Sequence, residues 1–251
     1  MGRIASPFCF QDTKGMKTQK AQAILSLSGG LDSAVLCAAL REKGGEISVL
    51  PVFFRYGSKH NPREEKAARA VAVHFALELS IIDLRAAFAG ISSALLTIDP
   101  RPIPRVEYSS ESMGLTLVPG RNLIFASVLA GMAESAGIPS IALATHGGDH
   151  HLYPDCRPEF NEALAGVVAC GSGGRVTVAT PFASLNKMEI VRLGMRLDAP
   201  FHLTRSCYEA EEQSCGLCGT CIERLAAFEA NGIADPIAYI SSEKQKKEGN
   251  P

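Results

Sequence analysis

The chain has 251 residues, of which 46% are hydrophobic and 20% are charged, and its net charge at pH 7 is −1. This length fits one globular domain, or one domain with a small appendage, and it is enough to bury a sizeable core. The near-neutral charge predicts no direct binding to nucleic acid. The sequence predicts no membrane span, and the first twenty residues lack the apolar stretch of a signal peptide. We therefore expect a cytoplasmic protein.

Short apolar runs alternate with longer amphipathic stretches along most of the chain. The runs predict five strands, over 23–27, 47–54, 80–84, 140–144 and 176–179. The amphipathic stretches predict helices over 32–43, 62–79, 120–136, 158–169, 185–197 and 220–231. Strands separated by helices of this length predict an α/β fold with a doubly wound, five-stranded parallel sheet of Rossmann-like type. The proline-rich segment 85–118 is predicted to be mostly loop.

Ligands of such sheets bind outside the carboxyl ends of the strands. Polar segments that directly follow a predicted strand are therefore candidates for the site. Three segments meet this criterion, and they are 27–33, 55–60 and 145–151.

The first of these segments is a glycine- and serine-rich turn between a predicted strand and a predicted helix. It reads Leu-Ser-Gly-Gly-Leu-Asp-Ser over 27–33. Glycines let the backbone approach a ligand closely, and the N–H groups and positive end of the helix favour a phosphate. A Walker loop, which needs GxxxxGKS or GxxxxGKT, is absent. The alternative is a turn with a capped helix and no ligand.

Four of the eight cysteines are clustered near the carboxyl end, as Cys207, Cys215, Cys218 and Cys221. In a chain without an export signal, such a cluster indicates metal binding rather than disulfides. Four thiolates suit a tetrahedral zinc ion and leave no open position for water, so we expect a structural site. An iron–sulfur cluster is the main alternative, and unligated buried thiols are a second one.

Four segments together resemble one family: 27–37, 118–122 (VPGRN), 153–160 (YPDCRPEF) and the cysteine cluster. The SGGLDS string resembles the PP-loop of the ATP pyrophosphatases, which cleave ATP between its α and β phosphates and transfer AMP to an oxygen. YPDCRPEF and the cysteines narrow the resemblance to the 7-cyano-7-deazaguanine synthases (QueC), enzymes of queuosine biosynthesis. This resemblance extends over about residues 21–239.

The resemblance implies the reaction and its participants. ATP activates the carboxylate of 7-carboxy-7-deazaguanine as an adenylate, and ammonia converts the adenylate into an amide. A second activation, of the amide oxygen, then gives the nitrile. The implied cofactors are ATP, Mg²⁺ and a structural Zn²⁺, and the implied assembly is a homodimer. The implied fold is of the adenine nucleotide alpha hydrolase type.

The sequence and the resemblance together predict four regions along the chain. Residues 1–20 form an N-terminal extension, and 21–200 form the PP-loop ATP-binding domain. Residues 201–240 form a zinc-binding, partly helical segment, and 241–251 form a flexible tail.

Residue roles follow from positions that match the family. The residues expected to bind ATP are Leu27, Ser28, Gly29, Gly30, Leu31, Asp32, Ser33, Ala34, Val35, Leu36, Cys37, Tyr56 and Arg121. Those expected to act in catalysis are Asp32, Ser33, Lys187 and Arg121. Asp32 is interpreted as an indirect Mg²⁺ ligand or as a helix cap. Lys187 neutralises pyrophosphate or is a solvated helix lysine, and Arg121 binds an anion or lies on the surface.

The residues expected to bind the deazaguanine are Tyr153, Asp155, Arg157, Phe201 and Tyr208. A carboxylate suits the N–H donors of the base, and an arginine suits the carboxylate of the substrate. As alternatives, Asp155 and Arg157 form a structural ion pair, and Phe201 packs in the core.

The chain departs from the family pattern in two places. Ser58 and Lys59 follow Tyr56-Gly57 where the family has glutamine, and 146–151 reads His-Gly-Gly-Asp-His-His. We expect these histidines to be solvated loop residues, with a second metal site or proton transfer as the alternative. The departure at 146–151 keeps acyl transfer to another amine open. Two further alternatives are tRNA modification by a PP-loop enzyme and a zinc-bearing nucleic-acid module.

Overall fold

The computed structural model of the protein describes residues 21–42, 48–106, 114–149, 153–209 and 211–240. The expected N-terminal extension and C-terminal tail lie outside the described residues, as do His150 and His151.

The sheet has five parallel strands in the order β3-β2-β1-β4-β5. The strands are β1 Ala23–Ser26, β2 Val49–Arg55, β3 Ser80–Asp83, β4 Ser140–Ala142 and β5 Thr177–Ala179. The order reverses direction at β1, between its neighbours β2 and β4. This arrangement confirms the predicted doubly wound, five-stranded sheet, and it makes the carboxyl end of β1 the topological switch point where ligands of such sheets bind.

The described helices connect these strands or follow the last one. They are α1 Leu31–Glu42, α2 Asn61–His74, α3 Arg85–Phe88, α4 Arg121–Ala136, α5 Pro158–Gly171, α6 Lys187–Arg196 and α7 Gly219–Glu229. Local sequence explains several ends. Gly120 and Gly137 adopt left-handed conformations on either side of α4, and Asn186 and Glu189 form a capping box at the start of α6.

Most predicted boundaries lie within two residues of the structure, and two predicted segments differ from it by more. Helix α2 ends at His74 instead of reaching residue 79, because the backbone turns into a left-handed conformation at Ala76, where φ is +53°. The segment predicted as loop over 85–118 contains the short helix α3, although most of its described part is irregular.

The core lies in two layers, one on each face of the sheet. Neighbouring residues of β1 divide between the layers, since successive side chains of a strand point to opposite faces. Leu25 packs in the layer under α1, α2, α6 and α7, whereas Ile24 packs in the layer under α4 and α5. Both side chains are fully buried. Helices therefore cover both faces, and only the ends of the strands are left open to ligands.

The stretch Gly114–Ala136 is apolar and long enough, by length and composition alone, to cross a membrane. The sequence analysis did not predict such a stretch. Its main helix, α4, has 16 residues, so it is about 24 Å long, and it packs against β1 and β4.

Candidate functional site

The loop after β1 is folded around its own hydroxyl groups. Ser28 Oγ and Ser33 Oγ lie 3.1 Å apart, and the Gly30 N–H donates to Ser28 Oγ at 3.2 Å. Gly29 has a φ of +80°, and a Cβ placed there would lie 2.4 Å from the backbone oxygen of Glu64. Only glycine fits between this loop and α2.

A cleft opens at the carboxyl edge of the sheet, in front of this loop. Its walls include eleven of the residues expected from sequence, namely Leu27, Ser28, Gly30, Leu31, Asp32, Ser33, Tyr56, Arg121, Tyr153, Lys187 and Tyr208. These residues come from the ends of β1 and β2, from the starts of α1, α4 and α6, and from two loops. The fold thus gathers widely separated segments around one space at the switch point.

Asp32 lies at the centre of a charged cluster. Its Oδ2 accepts a hydrogen bond from Lys187 Nζ at 2.7 Å, and Lys187 Nζ lies 3.5 Å from Glu223 Oε2. Burial raises the pKa of Asp32, but the charges of Lys187 and His146 outweigh this effect and hold that pKa below its usual value. The Lys187 side chain is only 13% exposed, which argues against the solvated-lysine alternative.

Asp32 has one carboxylate oxygen engaged and one unpartnered. Oδ1 is buried and has no hydrogen-bond partner among the described residues. A buried acceptor without a partner is unfavourable in a finished site. It therefore fits a position where a ligand's hydrogen-bond donor or a hydrated cation would complete the coordination.

Arg121 begins α4 and points a permanent cation into the cleft. Burial lowers the pKa of Arg121, but the nearby Tyr56, Tyr208 and Asp155 have a larger opposite effect, so that the pKa lies above its usual value. Among the described residues no carboxylate lies within ion-pair distance of its guanidinium. A cation at a helix start is also disfavoured by the helix dipole. This arrangement favours the anion-binding interpretation.

The 153–160 segment meets the start of α4 through hydrogen bonds. The Asn122 N–H donates to Asp155 Oδ2 at 3.1 Å, and Asn122 Nδ2 donates to the Asp155 carbonyl at 3.0 Å. Tyr153 Oη lies 3.3 Å from Thr116 Oγ1. Asp155 thus anchors the segment to α4, and Tyr153 presents its ring to the cleft.

Several expected site residues lie away from the cleft wall. Ala34, Val35, Leu36 and Cys37 are buried in α1 among core side chains. Phe201 packs edge-on against Phe228, with ring centroids 5.1 Å apart, as in the core-packing alternative. Asp155 and Arg157 are outside the described lining, and Arg157 is exposed at the start of α5.

The expectation of solvated histidines is wrong for His146. Its side chain is 2% exposed, and Nε2 lies 3.9 Å from Asp32 Oδ2. The reason is the glycine that follows it. The Gly147 N–H donates to the Leu185 carbonyl at 2.7 Å, and this contact folds the loop against the start of α6 and turns His146 inward.

Sequence reasoning missed four charged residues of the cleft wall, namely Glu64, Arg205, Glu223 and Arg224. No local motif surrounds any of them, so no signal could have found them. His60, in contrast, lies in the polar segment after β2 that was a candidate by position alone.

The four clustered cysteines converge in a buried pocket. Their sulfurs all lie within 4.8 Å of one another, and Cys215 Sγ is 4.0 Å from Cys221 Sγ. A tetrahedral zinc site with bonds of about 2.3 Å places sulfurs about 3.8 Å apart. Backbone N–H groups of Glu209 and Cys215 donate to Cys207 Sγ at 3.4 and 3.3 Å. The four residues therefore fit a metal ion.

This fold and site define a class: a Rossmann-like protein with a PP-loop at the switch point of its sheet and a C-terminal cluster of four cysteines that could hold a metal ion. A family model described as "Queuosine biosynthesis protein QueC" matches residues 22–232. The chain belongs to this family, whose curated members are enzymes named 7-cyano-7-deazaguanine synthase.

Two relatives illustrate the match. The 7-cyano-7-deazaguanine synthase of Desulfotalea psychrophila is 43% identical over 218 residues, which is 87% of this chain and 98% of the relative. That of Archaeoglobus fulgidus is 41% identical over 231 residues, which is 90% of this chain and 92% of the relative.

Two solved structures superpose on the chain with a TM-score of 0.49 each. The alignment with NMN synthetase from Francisella tularensis, at 16% identity, covers 91% of this chain and 82% of the synthetase chain. The U34-tRNA thiolase NcsA from Methanococcus maripaludis, solved with its 4Fe–4S cluster, is 17% identical and covers 85% of this chain and 68% of its own.

Proposed function

We propose that the protein is an ATP-dependent ligase that converts 7-carboxy-7-deazaguanine and ammonia into 7-cyano-7-deazaguanine. The observation that carries this proposal is the composition of the cleft wall. It contains the PP-loop with Lys187 at one end, and Arg121 with the aromatic side chains of Tyr153 and Tyr208 at the other. Membership of the 7-cyano-7-deazaguanine synthase family supports the same activity. A cytoplasmic homodimer, with small molecules as its only substrates, belongs to this proposal.

The phosphate end of the cleft is the PP-loop. Ser28, Ser33 and the N–H groups at the start of α1 hold phosphate oxygens, and Lys187 neutralises charge on the departing pyrophosphate. Asp32 positions Lys187 and offers Oδ1 to a hydrated Mg²⁺, which would supply charge neutralisation between the phosphates.

The acid end of the cleft is formed by Arg121, Tyr153 and Tyr208. Arg121 holds the substrate carboxylate, and the two aromatic rings lie against the planar base. A carboxylate is a poor electrophile, so its oxygen must first become part of a good leaving group. The cleft raises the rate mainly by holding the acid and the α phosphate in line.

A quenched reaction analysed by mass spectrometry tests this function. The chain is incubated with ATP, Mg²⁺, ammonium and 7-carboxy-7-deazaguanine, and we expect AMP, pyrophosphate, an amide intermediate and the nitrile. If neither the nitrile nor the acyl adenylate is formed, the proposal is wrong.

A second candidate function is transfer of the activated acyl group to another amine, which includes an amine of a tRNA. The departure at 146–151 favours this acyl transfer, because the buried His146 places an unexpected residue beside Asp32. An acyl adenylate that forms without nitrile, and that is discharged by a larger amine or by tRNA, would support this candidate.

We also propose that the four cysteines hold a structural zinc ion. Metal analysis should find one zinc per chain and no visible absorption. Stoichiometric iron with a brown colour would instead identify an iron–sulfur cluster.

A further inference from the structure

The proposed reaction needs a group that removes protons from nitrogen, which the phosphate-binding residues do not supply. Attack of the carboxylate on ATP releases no proton. The adduct of ammonia with the acyl adenylate carries a surplus N–H proton, however, and the nitrile forms only when the last N–H proton leaves. Histidine is the side chain best suited to accept such protons near neutral pH.

His60 lines the cleft between the end of β2 and the start of α2. It is 2% exposed, and its Nε2 lies 3.5 Å from both Tyr56 Oη and Glu64 Oε1. Its Nδ1 is buried without a hydrogen-bond partner among the described residues. The ring of Tyr208 lies 5.3 Å from the imidazole, centroid to centroid.

The surroundings of His60 keep its ring neutral. Burial lowers its pKa, and Glu64 only partly opposes this effect. The charged and titratable groups that face it from neighbouring elements are Glu64, Tyr56, Arg121, Arg205, Tyr208 and Cys218. The positive end of α2 also disfavours an imidazolium. With Glu64 accepting from the Nε2 N–H, the lone pair resides on Nδ1.

Three other titratable groups of the cleft contact charged partners at its phosphate end. The carboxylates of Asp32 and Glu223 face the ammonium of Lys187, and the pKa of Asp32 is held below its usual value. His146 faces Asp32 at the phosphate end. His60 is separated from this cluster and lies instead among the aromatic residues of the acid end.

We propose that His60 is the catalytic base of both nitrogen steps, with Glu64 as its positioning residue. This role rests on the proposed function. In the first step ammonia bonds to the acyl carbon, Nδ1 accepts one N–H proton, and the bond from carbon to the AMP oxygen breaks with its electron pair. In the second step the amide oxygen has displaced pyrophosphate from ATP. One N–H proton of this adenylate goes to solvent and Nδ1 accepts the other. The C≡N bond then forms, and the bond from carbon to the AMP oxygen breaks with its electron pair.

The variant His60→Gln separates the steps, because adenylation needs no base. We expect exchange of labelled pyrophosphate into ATP, driven by 7-carboxy-7-deazaguanine, to stay within about threefold of the unchanged protein. Nitrile formation from either the acid or the amide should fall about 100-fold or more. His74→Gln, at the exposed far end of the same helix, is the matched control and should change neither rate.

Three outcomes would overturn the proposal. An equal loss of exchange and of nitrile would indicate a structural role, and unchanged nitrile formation would leave no role for His60. Should His60→Gln fold poorly, His60→Asn carries the same test, with exchange as its internal measure of folding. An unchanged protein that forms no nitrile overturns the proposed function itself, and this result is seen before any variant is made.

Glu64→Gln provides a second measurement. Loss of the carboxylate should lower the pKa of His60 further, so the acidic limb of the pH profile for nitrile formation should move to lower pH. An unmoved profile would contradict the positioning role.

Discussion

At the scale of single residues, the main contact of the site joins Lys187, at the start of α6, to the carboxylate of Asp32 in α1. The pair is largely buried, so water screens it little. The lysine therefore has a defined position from which it can meet a departing pyrophosphate.

Replacing Lys187 with methionine should lower kcat/KM by about 100- to 1,000-fold, the range typical for loss of one charge-stabilising donor. Loss of its ammonium also removes a main cause of the low Asp32 pKa, so that pKa should rise. Steady-state kinetics measure the change in kcat/KM, and thermal unfolding across a range of pH measures the change in the Asp32 pKa. Lys66→Met, at an exposed ion pair with Glu212, is the control, and an equal loss there would contradict the assignment.

Gly29 makes the second prediction at the residue scale. Gly29→Ala would force a Cβ to within 2.4 Å of the Glu64 carbonyl at a positive φ, so ATP binding should be lost and unfolding should become easier by about 2 kcal/mol or more. Gly131→Ala is the matched control, because nothing lies within 4 Å of its added Cβ. Calorimetry with ATP and denaturant unfolding should show a neutral or slightly stabilising change there.

At the scale of elements, the carboxylate of Glu65 helps to hold α2 to β2. Glu65 accepts from Arg55 Nε and Nη2 at 2.7 and 2.8 Å, and Arg69 adds a further contact. These hydrogen bonds, that of Arg55 first, lower the pKa of Glu65 to about 2. The contact positions the helix whose first turn carries Glu64.

This low pKa gives a stability prediction with a definite sign. A carboxyl group with a depressed pKa in the folded state stabilises the fold above its ordinary value of about 4.5, and this contribution is lost as the pH falls toward 2. The difference in unfolding free energy between the unchanged protein and Glu65→Gln should therefore be constant near pH 7 and shrink below pH 4.5. Urea unfolding across this range measures it, and a difference that grows on acidification would contradict the assignment.

At the scale of the whole molecule, the sheet and the PP-loop were predictable because their signals are local. A run of apolar residues, a Ser-Gly-Gly turn and an amphipathic helix lie next to one another in the sequence. The contacts of Lys187 with Asp32 and Glu223 were not predictable in this way, because they join residues far apart in the chain. The orientation of His146 depends on one backbone hydrogen bond from Gly147, which no side-chain pattern encodes.

The metal site gives the prediction for the whole molecule. Cys218→Ser should lose the metal and much of the protein's solubility, since the three buried cysteines that remain would no longer complete a four-thiolate site. It should also weaken ATP binding, although none of these four clustered cysteines lines the cleft. Metal content, sedimentation and calorimetry test this, with the exposed Cys170→Ser as the control. Unchanged ATP affinity in a metal-free chain would contradict the coupling.

Arg205 explains how that coupling arises. Its backbone N–H donates to the Gly29 carbonyl at 2.9 Å, and its guanidinium binds the carbonyls of Glu209, Glu211 and Glu212 between the first two cysteines. One residue thus joins the phosphate loop to the cysteine loop. The cysteine segment is consequently not an interchangeable module, and a chimera that took it from a relative would have to bring its own contact to the PP-loop.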